Sequence, residues 1–386
     1  MYLGDLTPRQ FLEKHWQKKL LLIRQAFENF TPPLDPDELA GLACEEEVES
    51  RLVIQHPGGT PEWTVRNGPF TAKDFAALPP THWTLLVQDV DKHIPECADL
   101  LDHFNFLPDW RIDDLMISYA APSGSVGPHI DAYDVFLLQG LGERHWQLDP
   151  SPESTAEVPG IDLKLLDNFI SKEDYVLSAG DMLYLPPGVA HHGVAQNDCM
   201  TLSVGFRAPS YAEMLADFAG WLAAKADPEA RYEDPGLTID EAEGGRISNR
   251  ARESIRTELR SHLQIDDAEM DRWFGCFITE PKPWLVTPPA EQFLEPRELV
   301  EALRNGRALH RSSYSRIHFI SRPDGALLFC DGEAFDLSND AAPVAPVLAR
   351  QRRLTAVGFG DALDNRAFAS LLTDFYNRGK YYFDDE

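Results

Sequence analysis

Six short apolar or alternating runs crowd the stretch between residues 112 and 207, separated by turn signals. Leu115–Tyr119 leads into the Pro- and Gly-rich loop Ala121–Pro128, and Asp134–Leu138 ends at Gly140-Leu-Gly142. Arg144–Leu148, Asp174–Leu177, Met182–Leu185 and Met200–Phe206 follow at short intervals. Strands of that length in close succession predict a β-barrel or a double-sheet jelly roll, that is, a double-stranded β-helix.

The flanking sequence is mixed, which makes the whole chain α+β. Thr7-Pro8 reads as an N-cap with proline at the first helical position. Leu20–Ile23 then reads as a strand, Asp35–Ala43 as a short helix, and 50–54 with 62–66 as a hairpin turning through Pro57-Gly58-Gly59. After Pro209 the period is helical, with Met214, Phe218, Trp221 and Leu222 on one face and two further helices predicted near 248–264 and 267–279. Between them Asp227–Gly245 has the composition of a linker. Beyond the proline-rich break at 281–289, a helix over 295–305, strands at 315–320 and 326–330, and helices near 345–350 and 360–377 form a winged-helix-like pattern. The expected domains are therefore 1–207, a helical segment at 208–280 that could pack on the barrel or pair with a second chain, and 281–386.

Charge narrows the partners. Sixty-three acidic against 35 basic residues give a formal charge of −28. Such an excess argues against binding DNA, an RNA backbone or an anionic membrane, whose phosphates draw cations. It suits a cationic partner or none, solubility alone being the plainer reading. Residues 1–207 hold 32 acids and 14 bases, whereas 281–386 hold 15 and 13, so the acidity lies mainly in the barrel half. The five cysteines are widely spaced without a Cys-x-x-Cys pair, as in a reducing compartment. The opening residues do not read as a signal peptide and no apolar run reaches membrane-spanning length, so the chain reads as cytoplasmic.

One pattern carries chemistry. In Gly127-Pro-His129-Ile-Asp131 the alternation of an extended backbone sends His129 and Asp131 to the same side. Sixty residues later, Gly180-Asp-Met-Leu-Tyr-Leu-Pro-Pro-Gly-Val-Ala-His191 reads as strand, turn and strand, returning His191 to the same interior. Two imidazoles and one carboxylate on one side of a metal leave the other positions open, the arrangement suited to non-haem Fe(II). A bare His-x-Asp recurs by chance; the joint pattern with the downstream turn and His191 is what gives it weight. His192 stands next to His191 and could compete with it.

Gly127–Phe136 and Gly180–Gly188, with Asp109–Ser118, Ser203–Pro209, Phe11–Lys18 and Pro36–Ala43, resemble the JmjC-type, cupin-fold Fe(II)/2-oxoglutarate oxygenases, in particular the bacterial ribosomal oxygenases. The resemblance runs over essentially the whole chain. It implies iron ligands at His129, Asp131 and His191, with 2-oxoglutarate and dioxygen as co-substrates. It places Arg144, assisted by Ser118, against the distal carboxylate of 2-oxoglutarate, a role suited to a guanidinium's paired donors. It also implies a substrate: an arginine of a large-subunit ribosomal protein, the one numbered sixteen, hydroxylated on its β-carbon. Strand parity sets Asp114 on the face of Ser118 and Tyr133 on that of Asp131. With Ser203 these are the candidates for the arginine pocket, although Asp114 could equally be a strand-end surface acid. The helical segment would then be a homodimer interface.

Two other classes stay open. A cupin metalloenzyme acting on a small molecule would not require Arg144 and Ser118. A non-catalytic, ribosome-associated protein binding nucleic acid through its winged-helix-like end would need a basic wing, and 281–386 is nearly neutral.

Overall fold

The computed structural model describes residues 2–235, 237–238 and 245–383. Part of the expected linker, including Gly236 and Gly244, lies outside the described residues. The chain divides into two compact units, Met1–Ala208 and Pro209–Glu386.

Among its described residues the first unit contains twelve strands. They are β1 (Leu21–Ile23), β2 (Ser50–Gln55), β3 (Trp63–Asn67), β4 (Trp83–Val87), β5 (Ile112–Ala120) and β6 (His129–Ile130). Then come β7 (Val135–Leu141), β8 (Glu143–Asp149), β9 (Glu173–Ser178), β10 (Met182–Leu185), β11 (Ala190–Ala195) and β12 (Cys199–Phe206). Two antiparallel sheets result, one ordered β1-β10-β7-β12-β5-β4-β2-β3 and the other β6-β11-β8-β9.

Alternation along each strand divides the packing. Val135, Leu137, Leu183 and Leu185 of the large sheet share a buried cluster with Trp146, Leu148 and Leu177 of the small one, so these residues face the interior of a jelly roll. Their neighbours Phe136, Leu138, Met182 and Tyr184 point the other way, into a cluster with Leu115, Ile117 and N-terminal residues such as Phe11 and Leu39. The N-terminal helix Pro8–Lys14 is held by a Thr7–Gln10 capping box and contributes Phe11 to that cluster.

The Gly180-Asp181 pair has a structural role here. Gly180 turns with φ +88°, and a side chain there would strike the carbonyl of Phe27. The buried Asp181 accepts from Gln25 N–H at 2.9 Å, Ser178 N–H at 3.1 Å and Arg24 Nη1 at 2.6 Å, tying the turn before β10 to the segment after β1. Asp181→Ala would strand those donors. It is expected to cost about 2–4 kcal/mol in denaturant unfolding, and a change within error would show the turn to be held otherwise.

In the second unit, helices Tyr211–Lys225 and Asp267–Thr279 meet where Trp273 donates to Asp217 at 2.7 Å and packs on Phe218. A further helix spans Asn249–His262. A sheet of Ile317–Arg322, Gly325–Cys330 and Glu333–Ser338 packs with helices Pro296–Arg304, Ala345–Arg350 and Arg366–Asn377 into one core. The third strand and a small sheet of Arg353–Leu354, Leu309–Arg311 and Tyr381–Phe383 go beyond the sequence reading. Among the described residues no helix is long and apolar enough to cross a membrane.

Candidate metal and co-substrate site

β11 lies between β6 and β8, with His191 paired to His129 on one side and to Leu148 on the other. Leu148 belongs to the interior cluster, so His191 faces inward with it. His192, paired to Gln147, belongs to the opposite face and its ring packs edge-on to Phe169. β6 is only two residues long, and Asp131 lies just past its end. There the Gly188 N–H of the Pro-Pro-Gly turn donates to the Asp131 carbonyl at 3.0 Å.

One ligand atom from each of His129, Asp131 and His191 lies within 4.8 Å of the others. His191 Nε2 is 3.7 Å from Asp131 Oδ2, and the two imidazole centroids are 4.2 Å apart. Each histidine spends Nδ1 on a carbonyl: His129 donates to Gly127 and His191 to Val189, both at 3.0 Å. A carbonyl only accepts, so the proton sits on Nδ1 and the Nε2 lone pair is left for a cation.

His191 is 2% exposed. Burial, and then the neighbouring His129, bring its pKa down to about 4 from the ordinary 6.5. His192 is brought down to about 4 by the same two causes in the same order. Both rings are thus neutral in the fold at pH values where the unfolded chain's are charged. Between about 6.5 and about 4 the unfolded state binds more protons, so stability falls as pH drops through that window and levels off below it. Thermal melts of metal-free protein should show Tm declining across that window. A flat Tm would contradict neutral buried imidazoles.

Arg144 lies on β8 with the same parity as Trp146 and Leu148, so it too faces the interior. It is 3% exposed, its Nε and Nη2 have no hydrogen-bond partner among the described residues, and its guanidinium lies 5.7 Å from the Trp146 ring. A buried cation with unsatisfied donors is costly unless an anion joins it. Trp146 Nε1 is likewise buried without a partner among the described residues. Trp146 had no signal in the sequence beyond being part of a strand. Its ring lies across Gly193, where any Cβ would come within 2.7 Å of it.

Ser118 is buried on β5 opposite Thr201 of β12. Two residues along, Met116 pairs with Ser203, which pairs with the interior-facing Leu137. Ser118, Ser203 and Asp114 therefore share the inner face. Asp114 is buried and accepts from Asp89 N–H at 3.0 Å. Tyr133 is 41% exposed. Burial of its hydroxyl, then the charges of Asp131 and Asp114, raise its pKa.

This donor set fits the proposed group. Two neutral imidazoles and a carboxylate suit a divalent first-row metal with open positions. The unsatisfied Arg144 and Trp146 donors suit an anionic co-substrate in the same interior.

Comparison with known proteins agrees with this geometry. Residues 99–214 match the JmjC domain family and residues 258–382 the ROXA-like winged helix family. The chain is 38% identical to the ribosomal protein uL16 3-hydroxylase of Escherichia coli strain K12, over 97% of each protein. It is 37% identical to a probable ribosomal oxygenase of Haemophilus influenzae over 61% of this chain and 56% of that protein. Among solved structures, Escherichia coli YcfD superimposes with a TM-score of 0.86 at 38% identity, covering 99% of both chains. YcfD in complex with cobalt and 2-oxoglutarate superimposes at 0.82 with 37% identity and the same coverage.

Proposed function

Because the chain belongs to the JmjC-domain ribosomal oxygenases, we propose that it hydroxylates an arginine β-carbon of large-subunit ribosomal protein uL16, using Fe(II), 2-oxoglutarate and dioxygen. The observation that carries this reading is the buried, unsatisfied Arg144 guanidinium in the interior that His191 faces. A small-molecule cupin would not require it.

His129, Asp131 and His191 would hold the iron, and Arg144 with Ser118 would hold the distal carboxylate of 2-oxoglutarate. Bound iron supplies the redox chemistry in which 2-oxoglutarate becomes succinate and CO2, one atom of dioxygen entering succinate and the other the substrate C–H bond. The protein's own part is orientation. The Nδ1–H bonds of His129 and His191 fix both rings, and the apolar walls Val135, Leu137, Leu148 and Leu183 keep water from the interior. Asp114, Tyr133 and Ser203 line the pocket for the substrate arginine. Asp114 supplies the charge for its guanidinium, and the acidic excess of the barrel half draws in a basic ribosomal protein.

The substrate implies a cytoplasmic enzyme. Exposed apolar side chains at helical spacing support a homodimer formed through the helical segment: Tyr211 at 83% and Leu215 at 66% on one helix, Ile255 and Leu259 on the next. The winged-helix-like part would serve architecture or substrate-protein binding rather than DNA.

Mass spectrometry of uL16 after incubation with enzyme, Fe(II), 2-oxoglutarate and oxygen should show a gain of one oxygen on a single arginine. Succinate formation without that gain would remove the substrate and leave the oxygenase.

A further inference from the structure

The segment joining β6 to β7 carries Asp131 and Tyr133, and it is fastened at both ends. At its start the Asp131 carbonyl receives the Gly188 N–H. At its far end stands Asp134, a fully buried carboxylate that the sequence motif did not mark.

Three side chains converge on Asp134. Tyr184 Oη donates to it at 2.6 Å, Gln17 Nε2 at 2.9 Å and Arg111 Nη2 at 3.3 Å. These donors come from β10, from the turn after the N-terminal helix and from the residue before β5. They are themselves interlocked. Gln17 N–H donates to Tyr184 Oη at 2.8 Å, and Arg111 Nε donates to the Arg207 carbonyl at 2.7 Å. The Asp134 carbonyl also accepts the Phe206 N–H at 3.1 Å, at the end of β12.

We propose that Asp134 is a positioning residue for the metal site, setting where the Asp131 carboxylate stands by holding the 131–134 segment against β10, β12 and the N-terminal turn. This rests on the reading of His129, Asp131 and His191 as metal ligands. A buried carboxylate satisfied by three donors has one place to sit, and Asp131 is three residues away on the same short connection. If the clamp loosens, the carboxylate oxygen that must meet the two imidazoles is free to wander, while the histidines keep their own carbonyl partners. The expected signature is therefore weakened metal binding in a protein that remains folded. A purely structural role would lower Tm and leave the affinity of the folded protein alone.

Asp134→Asn removes the charge while keeping the shape, and Tyr184→Phe removes the shortest of the three bonds. Both would be compared with wild type and Asp131→Ala by titration with Co(II), following the d–d absorption, with circular dichroism and melting curves recorded in parallel. Asp134→Asn is expected to bind Co(II) about tenfold more weakly, with an altered band, and Tyr184→Phe to fall between it and wild type. A folded Asp134→Asn with wild-type affinity and an unchanged band would overturn the proposal. Should Asp134→Asn not fold, Tyr184→Phe decides: unchanged affinity and spectrum overturn it, weakened binding at a wild-type circular dichroism spectrum sustains it. A wild-type protein without a Co(II) band, or Asp131→Ala binding as tightly as wild type, would overturn the ligand assignment itself. That result is distinct from a normal wild type beside an unaffected Asp134→Asn.

Discussion

His191→Ala is expected to lose metal binding and to lower 2-oxoglutarate turnover roughly a thousandfold, as befits several kcal/mol of transition-state stabilisation carried by the metal. His192→Ala should retain both within a few-fold. The two residues are neighbours in sequence but belong to opposite faces of β11. His191 lies beside His129 in register, its Nδ1–H directed to the Val189 carbonyl and its Nε2 toward Asp131. His192 packs against Phe169 on the other face. Anaerobic Fe(II) with 2-oxoglutarate should give a weak visible charge-transfer band in wild type and His192→Ala and none in His191→Ala. A surviving band in His191→Ala would remove it from the ligand set, and a lost band in His192→Ala would put that residue in its place.

The jelly roll and its metal motif were readable because both depend on local pattern. Turn residues closed each strand, and the Pro-Pro-Gly turn fixed the path back to His191. β4 has no counterpart in that pattern: Trp83-Thr-Leu-Leu-Val87 is a short apolar run that fits a buried strand and a buried helical segment equally, and only its pairing with β2 and β5 makes it a strand. The winged-helix sheets were only partly legible for a related reason. Arg353–Leu354 and Tyr381–Phe383 are too short to show any period, and their strand state comes from pairing with Leu309–Arg311. The groups that support the site were hidden more deeply. Asp134 lies in a stretch that resembles the family, but its local sequence gives it no role that other acids near a turn lack. Its meaning depends on Gln17, Arg111 and Tyr184, which are distant along the chain and meet only in the fold. Trp146 is similar, since its place depends on Gly193 across the ladder.

Arg144→Met is expected to weaken 2-oxoglutarate binding by about a hundredfold or more, the scale of a desolvated ion pair losing one partner, while leaving Co(II) affinity near wild type. Without co-substrate, a buried guanidinium with unsatisfied Nε and Nη2 costs the fold stability. Methionine fills similar volume and carries no charge, so the Co(II)-loaded variant should melt as high as wild type or higher. Adding 2-oxoglutarate should then raise Tm only in wild type, because a ligand stabilises by its affinity for the folded state. Arg144→Lys should recover part of the affinity and part of the Tm gain: it restores the charge, but a single ammonium replaces the paired guanidinium donors. This combination separates a co-substrate anchor from a structural arginine, whose removal would lower the melting point of the Co(II)-loaded protein and leave the response to 2-oxoglutarate intact. That second outcome would sink the role assigned to Arg144, and with it the observation on which the choice of a 2-oxoglutarate oxygenase over a small-molecule cupin rests.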